Sequence, residues 1–395
     1  MKINIIAPFT LKAVYLAEKL IASGENVRFF DKSVMLQGKE YKGILIEPYE
    51  ASENAKVYIC HKVHQLEIMM ECERLGFSEI SKYEDLMSND DEIIASTRID
   101  LESLMAIKPE EFYFSWQREI NTNRFLSGLE TSKRADAICF DAIDLMITDR
   151  CTLKCDGCAA LMHYFVRQTD VPFEIIKKGI SNAKKYIDYV DYLMIRGGEP
   201  FIHPDLPKIL YCVREEQFGR RPVLITNGTL LPKNDVVRVM KETDVEVDIS
   251  DYGDASCKLV ELVDLLKNNS IKHRVLKHPH WSRIRAISEK HEDGAKKRAE
   301  CHFCVQLKGS KFYICSFLAA ERELGHIPIN VTNSVDFSEM HCNRQLLRDY
   351  LSGAVVPQGC SWCNGASQAQ YDFDKIPVGK QLRESVTYKK YCELE

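Results

Sequence analysis

The sequence predicts an α/β chain. A partial barrel of parallel strands stands at its centre, an α/β domain of Rossmann-like character precedes it, and a small cysteine-rich domain follows. Three observations predict this. Between residues 140 and 280, short apolar runs alternate regularly with amphipathic helical stretches, as repeated βα units do. Residues 1–135 alternate in the same way, less strictly. Residues 291–395 carry thiols in closely spaced pairs, Cys301/Cys304 and Cys360/Cys363, with Cys315 between them.

Composition sets the outer limits. A chain of 395 residues suggests two or three domains, and 45% hydrophobic residues suffice for ordinary cores. A net charge of −5 argues against a general binder of nucleic acid or anionic membrane. No run approaches the roughly 18 apolar residues of a membrane helix. Lys12 interrupts the start before a signal-peptide core could form. Fifteen cysteines without a secretion signal, several at C-x2-C and C-x3-C spacing, favour metal in a reducing cytoplasm over disulfides.

In order, residues 2–6 read as a strand, 11–22 as a helix closed by Gly24, and 26–30 as a second strand. Short β runs follow at 43–46 and 56–59, then a helix at 63–75 closed by Gly76. This is the alternation of a parallel nucleotide-binding sheet, but its phosphate turn is absent. The first strand leads into Ala7-Pro-Phe-Thr-Leu-Lys12 rather than a G-x-G-x-x-G loop. We assign it no dinucleotide; it grips a nucleotide-linked or glycan substrate, or serves docking or dimerisation. Charged helical stretches at 89–97 and 100–125 form a bridge to the next domain.

The central region opens on a strand-like run ending at Thr148, then Cys151-Thr-Leu-Lys-Cys155-Asp-Gly-Cys158. Three thiols in one tight loop suit three irons of a cubic iron–sulfur cluster and leave the fourth iron open. Zinc is the competing ligand, though it prefers four closed donors and C-x2-C pairs. A helix at 173–187 follows Pro172, a favoured early helix position. The strand at 190–195 runs into Arg196-Gly-Gly-Glu-Pro200, where glycines permit close backbone approach and Glu199 offers a carboxylate. Helices at 204–216, 235–243 and 258–268 alternate with strands at 222–228, 245–251 and 273–276. Every polar motif falls at a C-terminal strand end, where barrels of parallel strands place their active sites.

The C-x3-C-x2-C loop followed by Gly-Gly-Glu-Pro resembles the radical S-adenosylmethionine (radical SAM) family. The resemblance implies a domain at 136–290 of the partial (β/α) barrel type. In it Cys151, Cys155 and Cys158 would hold a [4Fe-4S] cluster whose open iron takes S-adenosylmethionine. Gly197, Gly198 and Glu199 would receive its amino group. Thr226, Asn227, Ser250 and Asp251 stand where the family contacts the ribose, the carboxylate or the substrate; each also suits a strand end or helix cap. Where the family often has an aromatic residue before the last cluster cysteine, this chain has Gly157, so Phe201 or Tyr164 would pack the adenine.

The later thiols resemble the auxiliary-cluster domains of the same enzymes, the SPASM and shortened Twitch types, at 291–395. Cys304, Cys315, Cys360 and Cys363 would hold a second [4Fe-4S] cluster, with Cys301 an alternative or additional ligand. Zinc is again the competitor. Cys342 suits helix packing, and Cys60, Cys72, Cys139, Cys212, Cys257 and Cys392 have no ligand spacing.

The implied chemistry is reductive cleavage of S-adenosylmethionine to a 5′-deoxyadenosyl radical that takes a hydrogen atom from substrate. Net oxidation would use the second cluster as electron acceptor; epimerisation would use a thiol donor, for which Cys257 is a candidate. Flavodoxin or ferredoxin would supply electrons. The βαβ N-terminal domain, Ser250-Asp-Tyr-Gly253 and Trp281 resemble radical SAM proteins of polysaccharide and nucleotide-sugar pathways. The expected substrate is therefore a sugar or glycan-linked small molecule. A peptide maturase and a zinc-stabilised scaffold are the alternatives.

Overall fold

The computed structural model describes residues 2–33, 36–61, 65–83, 107, 137–158, 160–277, 281–282, 294–299, 305–325, 333–363 and 375–382. The chain divides into two compact units, one built on Met1–Asp141, the other on Ala142–Arg298, His302–Ala366 and Asp372–Glu395. The bridging helices expected at 89–97 and 100–125 lie outside the described residues, apart from residue 107.

The first unit contains β1 (Ile3–Ala7), α1 (Leu11–Ala22), β2 (Asn26–Phe30), β3 (Glu40–Tyr41), β4 (Ile44–Glu47), β5 (Ala55–Ile59), α2 (Gln65–Arg74) and β6 (Ile80–Lys82). Its sheet runs β3-β4-β2-β1-β5-β6. Only the β3–β4 pair is antiparallel. The five parallel strands follow the order of a Rossmann half-sheet extended past its first strand. The turn after β1 is used up internally. Phe9 is buried edge-on against Phe29, with ring centroids 4.9 Å apart. Its N–H donates to Asp31 at 2.9 Å, Thr10 caps α1 by accepting from Ala13 N, and the Thr10 hydroxyl donates to the Cys60 carbonyl.

The second unit contains β7 (Cys139–Thr148), α3 (Phe173–Ala183), β8 (Tyr189–Gly197), α4 (Leu206–Glu216), β9 (Arg221–Thr226), α5 (Asn234–Glu242), β10 (Glu246–Asp251), α6 (Leu259–Asn268), β11 (His273–Lys277), β12 (Trp281–Ser282), α7 (Gly294–Ala299), β13 (Val305–Lys308), β14 (Lys311–Tyr313), α8 (Ser316–Leu324), β15 (Val335–Asp336), α9 (Arg344–Ser352) and β16 (Lys375–Ile376). An eight-stranded sheet runs β11-β10-β9-β8-β7-β13-β14-β15. The pairs β8–β9, β9–β10, β10–β11 and β7–β13 are parallel, while β13–β14 and β14–β15 are antiparallel. Among the described residues the sheet is open, a partial rather than a closed barrel.

Local sequence explains the elements. β7 is apolar almost throughout, as a strand covered on both faces must be. Its buried Asp144 pairs with Arg196 of β8 at 3.0 Å, so the one carboxylate in this strand's core stretch has a cation. In α3, the residues Ile176, Gly179, Ile180 and Ala183 recur at helical spacing and are buried. In α5 the buried set is Val236, Val237, Val239 and Met240. The hairpin β13–β14 extends the central sheet beyond β7, and β16 pairs antiparallel with β12.

Candidate active site

The strand ends of β7, β8, β9 and β10 meet around the thiol loop. β7 runs out at Thr148, whose hydroxyl donates to Asp170 at 2.6 Å and accepts from Arg150 N at 3.0 Å. Asp149 is buried, and its carboxylate accepts from Lys308 at 2.8 and 3.0 Å. Cys151 N donates to the Gln168 side chain, which in turn donates to the Met162 carbonyl. Cys158 N donates to the Cys155 carbonyl at 3.3 Å, closing the turn.

The glycines of Arg196-Gly-Gly-Glu-Pro200 serve the contact between two strand ends. Gly198 N donates to the Thr148 carbonyl at 3.0 Å and Glu199 N to the Arg150 carbonyl at 2.8 Å. A Cβ on Gly197 would lie 2.3 Å from the Thr148 carbonyl oxygen; one on Gly198 would lie 2.2 Å from that of Arg150 and 2.7 Å from Cys151 Cβ. No side chain fits there, because the obstructing atoms are largely backbone.

Glu199 carries the stitching to the third strand. It has no exposed surface. Its carboxylate accepts from the Thr226 hydroxyl at 2.9 and 3.0 Å, from Asn227 N at 2.9 Å and from Phe201 N at 3.1 Å. Burial pushes its carboxyl up to about 7, against the lowering effect of those donors. In this structure the carboxylate is directed at the chain's own donors.

Asn227 extends the network to the thiols. Its Nδ2 donates to the Thr152 hydroxyl at 3.1 Å and lies 3.8 Å from Cys151 Sγ, while its Oδ1 accepts from Thr229 N and Oγ1. Ser256 then ties β9 to β10. Its hydroxyl donates toward the carbonyls of Asn227 at 2.7 Å and Ser250 at 3.1 Å, and accepts from Tyr252 N. Ser250 is buried beside this junction. Asp251 accepts from Gly253 N at 2.9 Å, shaping its own turn.

Three residues to which sequence reasoning assigned no site role belong to this site. Ser256 is one, and Tyr252 is another. The Tyr252 hydroxyl hydrogen-bonds with Ser250, lies within electrostatic reach of Arg196, Cys155 and Cys158, and is pushed up to about 12 by burial. Its ring meets Trp281 edge-on at 4.9 Å. Its position one residue past Ser250-Asp251 was the available signal. The third is Gln381, whose Nε2 donates to Cys155 Sγ at 3.1 Å. No spacing or motif in the sequence marks it.

Burial pushes Cys151 up to about 12 and Cys155 up to about 11, each also within reach of Cys158. A metal taken up here must displace those protons. The donor set fits an iron–sulfur cluster: three thiols in one loop, with amide N–H groups of Asn227 and Gln381 directed at two of the sulfurs. Among the described residues no three His, Cys, Asp or Glu side chains converge as a single ion requires. A cubic cluster takes each thiolate on a different iron. Phe201 and Tyr164 are half-buried, Tyr164 beside His163 with centroids 4.1 Å apart.

Of the second thiol set, Cys301 and Cys304 lie outside the described residues. Cys315 and Cys360 are buried and both lie within electrostatic reach of the Tyr350 hydroxyl. That hydroxyl donates to the Asn333 carbonyl at 2.7 Å, and the Asn333 side chain accepts from Gly359 N at 2.7 Å. Cys363 N donates to the Cys360 carbonyl, and the Cys363 carbonyl accepts from Lys297 at 2.6 Å.

Comparison with known proteins gives the same domain. Residues 145–272 match the model of the Radical SAM superfamily. The chain is 31% identical over 96 residues to the 7,8-dihydro-6-hydroxymethylpterin dimethyltransferase of Methanocaldococcus jannaschii, covering 24% of this chain and 19% of that protein. It is 28% identical over 155 residues to the Fe-coproporphyrin III synthase of Methanosarcina barkeri, covering 38% and 34%. It thus spans between 19% and 34% of the length of these curated relatives. A solved structure of BtrN in complex with AdoMet and 2-DOIA is similar at a TM-score of 0.38 and 15% identity, over 60% of this chain and 98% of that one. No helix among the described residues is long and apolar enough to cross a membrane. The match to the Radical SAM superfamily at residues 145–272 begins within β7, and the thiol loop follows the end of that strand.

Proposed function

We propose that this chain is a radical SAM enzyme acting on a sugar or glycan-linked small molecule by oxidation or epimerisation at a carbinol carbon. One observation carries the catalytic part. The end of β7 that leads into the thiol loop accepts backbone hydrogen bonds from Gly198 and Glu199 at Thr148 and Arg150, and Asn227 donates to Thr152 within the loop, at the C-terminal ends of neighbouring strands. Cys151, Cys155 and Cys158 would hold the [4Fe-4S] cluster. Gly197, Gly198, Glu199, Thr226, Asn227, Ser250 and Asp251 would bind S-adenosylmethionine. When bound, the cluster supplies the electron that cleaves S-adenosylmethionine to methionine and a hydrogen-abstracting 5′-deoxyadenosyl radical.

The chain's own residues prepare that site. Gly197 and Gly198 let the β8 end close on the thiol loop. Glu199 fixes the β9 end through Thr226 and Asn227, and Ser256 fixes the β10 end. Tyr252 and Trp281 form an aromatic wall beside it, suited to exclude water from a reactive centre. Cys315, Cys360, Cys363 and one or both of Cys301 and Cys304 would hold the auxiliary cluster in a SPASM/Twitch-like region, for a net oxidation.

The sugar reading is supported by the first unit. Its parallel strands have the order of nucleotide-binding sheets, yet its first turn is filled by Phe9 and Thr10 instead of a phosphate loop. With that turn filled, the unit would grip part of a nucleotide-linked or glycan substrate elsewhere on its surface, or serve docking or dimerisation. The test is turnover under anaerobic reduction. The reconstituted protein should release 5′-deoxyadenosine from S-adenosylmethionine, and release should rise with a nucleotide-sugar panel. A protein that instead modifies a peptide and leaves every sugar unchanged would be a peptide maturase. Absence of 5′-deoxyadenosine under all conditions would sink the radical reading.

A further inference from the structure

Residues 375–382 lie across the thiol loop as a strap. β16 fixes one end by pairing with Trp281 and Ser282. From there Ile376 presses on Gly157: a Cβ at that position would lie 2.4 Å from Ile376 Cδ1, and Gly157 has φ of +78°. The positive φ favours glycine at this position, and any larger residue must also push the Ile376 side chain aside. Two backbone hydrogen bonds and one from backbone to a side chain follow. Asp156 N donates to the Lys380 carbonyl at 2.7 Å, Leu382 N donates to the Lys154 carbonyl at 2.9 Å, and Lys154 N donates to Gln381 Oε1 at 2.8 Å. Gly379 packs against Tyr252, where a Cβ would meet the Tyr252 Cβ at 2.6 Å.

Gln381 is the point at which the strap reaches a sulfur. Its amide is used at both ends. Oε1 accepts from the loop, while Nε2 donates to Cys155 Sγ at 3.1 Å and to the Gly379 carbonyl at 2.6 Å. An N–H directed at a ligating sulfur stabilises the more negative, reduced state of an iron–sulfur cluster and so raises its reduction potential. We infer that Gln381 is a positioning residue of the cluster centre: it holds the Cys155 side of the loop and sets the cluster's potential through its N–H···S bond. The inference rests on the cluster reading above.

The test is a redox titration of the anaerobically reconstituted full chain, wild type against Gln381→Leu. It is read on the electron paramagnetic resonance signal that S-adenosylmethionine perturbs, with iron content measured in parallel. Leucine removes the donor and adds no charge. The expected result is retained iron with the midpoint potential moved to more negative values. Retained iron with an unmoved potential would overturn the inference. Should Gln381→Leu lose iron, Gln381→Glu decides, because its carboxylate still accepts from Lys154 N. Gln381→Glu carries no N–H toward Cys155 Sγ, so iron retained with a midpoint moved to more negative values supports the inference, and iron retained with an unmoved midpoint, or lost from both variants alike, overturns it. A wild type that takes up no iron would instead remove the cluster reading itself, a failure separate from that of the strap.

Discussion

Glu199 holds its proton more tightly in the folded chain than in the unfolded one. Burial costs the charged form more than the donors from Thr226, Asn227 and Phe201 return, which leaves the folded value at about 7 against an ordinary 4.5. A raised carboxyl stabilises the fold fully below its unfolded value, and that contribution is lost as pH rises through the folded value. At about 1.4 kcal/mol for each unit, the change between pH 4.5 and 7 is on the order of 3 kcal/mol. The stability difference between wild type and Glu199→Gln, from urea unfolding at a series of pH values, should therefore fall steadily across that window. Curves that stay parallel would contradict a buried, proton-binding Glu199. The same residue shows what a sequence conveys and what it withholds. The carboxylate after two glycines was legible as a site residue. Thr226 and Asn227 were legible as site candidates too, but not as its hydrogen-bond partners, because they lie at the end of another strand and only folding brings them to it.

Among the elements, the contact between the ends of β7 and β8 is the tightest in the site. An alanine at Gly198 must displace the Arg150 carbonyl or the Cys151 side chain. Overpacking of this kind costs on the order of 1–3 kcal/mol, more where backbone is the obstacle. Gly198→Ala should lower thermal stability by several degrees and reduce iron uptake. An unchanged melting temperature together with full iron would contradict the close approach. The alternating elements of both units were legible from periodicity, since each βα repeat writes its pattern locally. The helices expected at 11–22, 173–187 and 258–268 form at Leu11–Ala22, Phe173–Ala183 and Leu259–Asn268, the second of them a turn shorter than its pattern. The strap at 375–382 was not legible. Its hold on the loop comes from backbone groups of Lys380 and Leu382, which every residue type possesses, and from one glutamine with no distinguishing spacing. Gly157 was legible only as a departure from a pattern; the reason for it, Ile376, lies far along the chain.

At the scale of the whole molecule, two α/β units carry two kinds of sheet. The first has the strand order of a nucleotide-binding domain with its phosphate turn filled, and the second is an open parallel sheet extended by a hairpin. That hairpin leads into Cys315, which is thereby tied to the sheet that carries the first thiol loop. The strand pattern predicted each unit's class, whereas a hairpin's choice of neighbour depends on register that no local pattern encodes. The central claim is that Cys151, Cys155 and Cys158 hold iron. The measurement that tests it most directly is iron and sulfide content after anaerobic reconstitution, wild type against Cys151→Ala/Cys155→Ala/Cys158→Ala. The variant should lose the iron of one cluster and keep that of a second. A variant with no iron would leave a single-cluster enzyme and favour epimerisation. A wild type that takes up no iron, or a variant that holds as much as wild type, would contradict the claim.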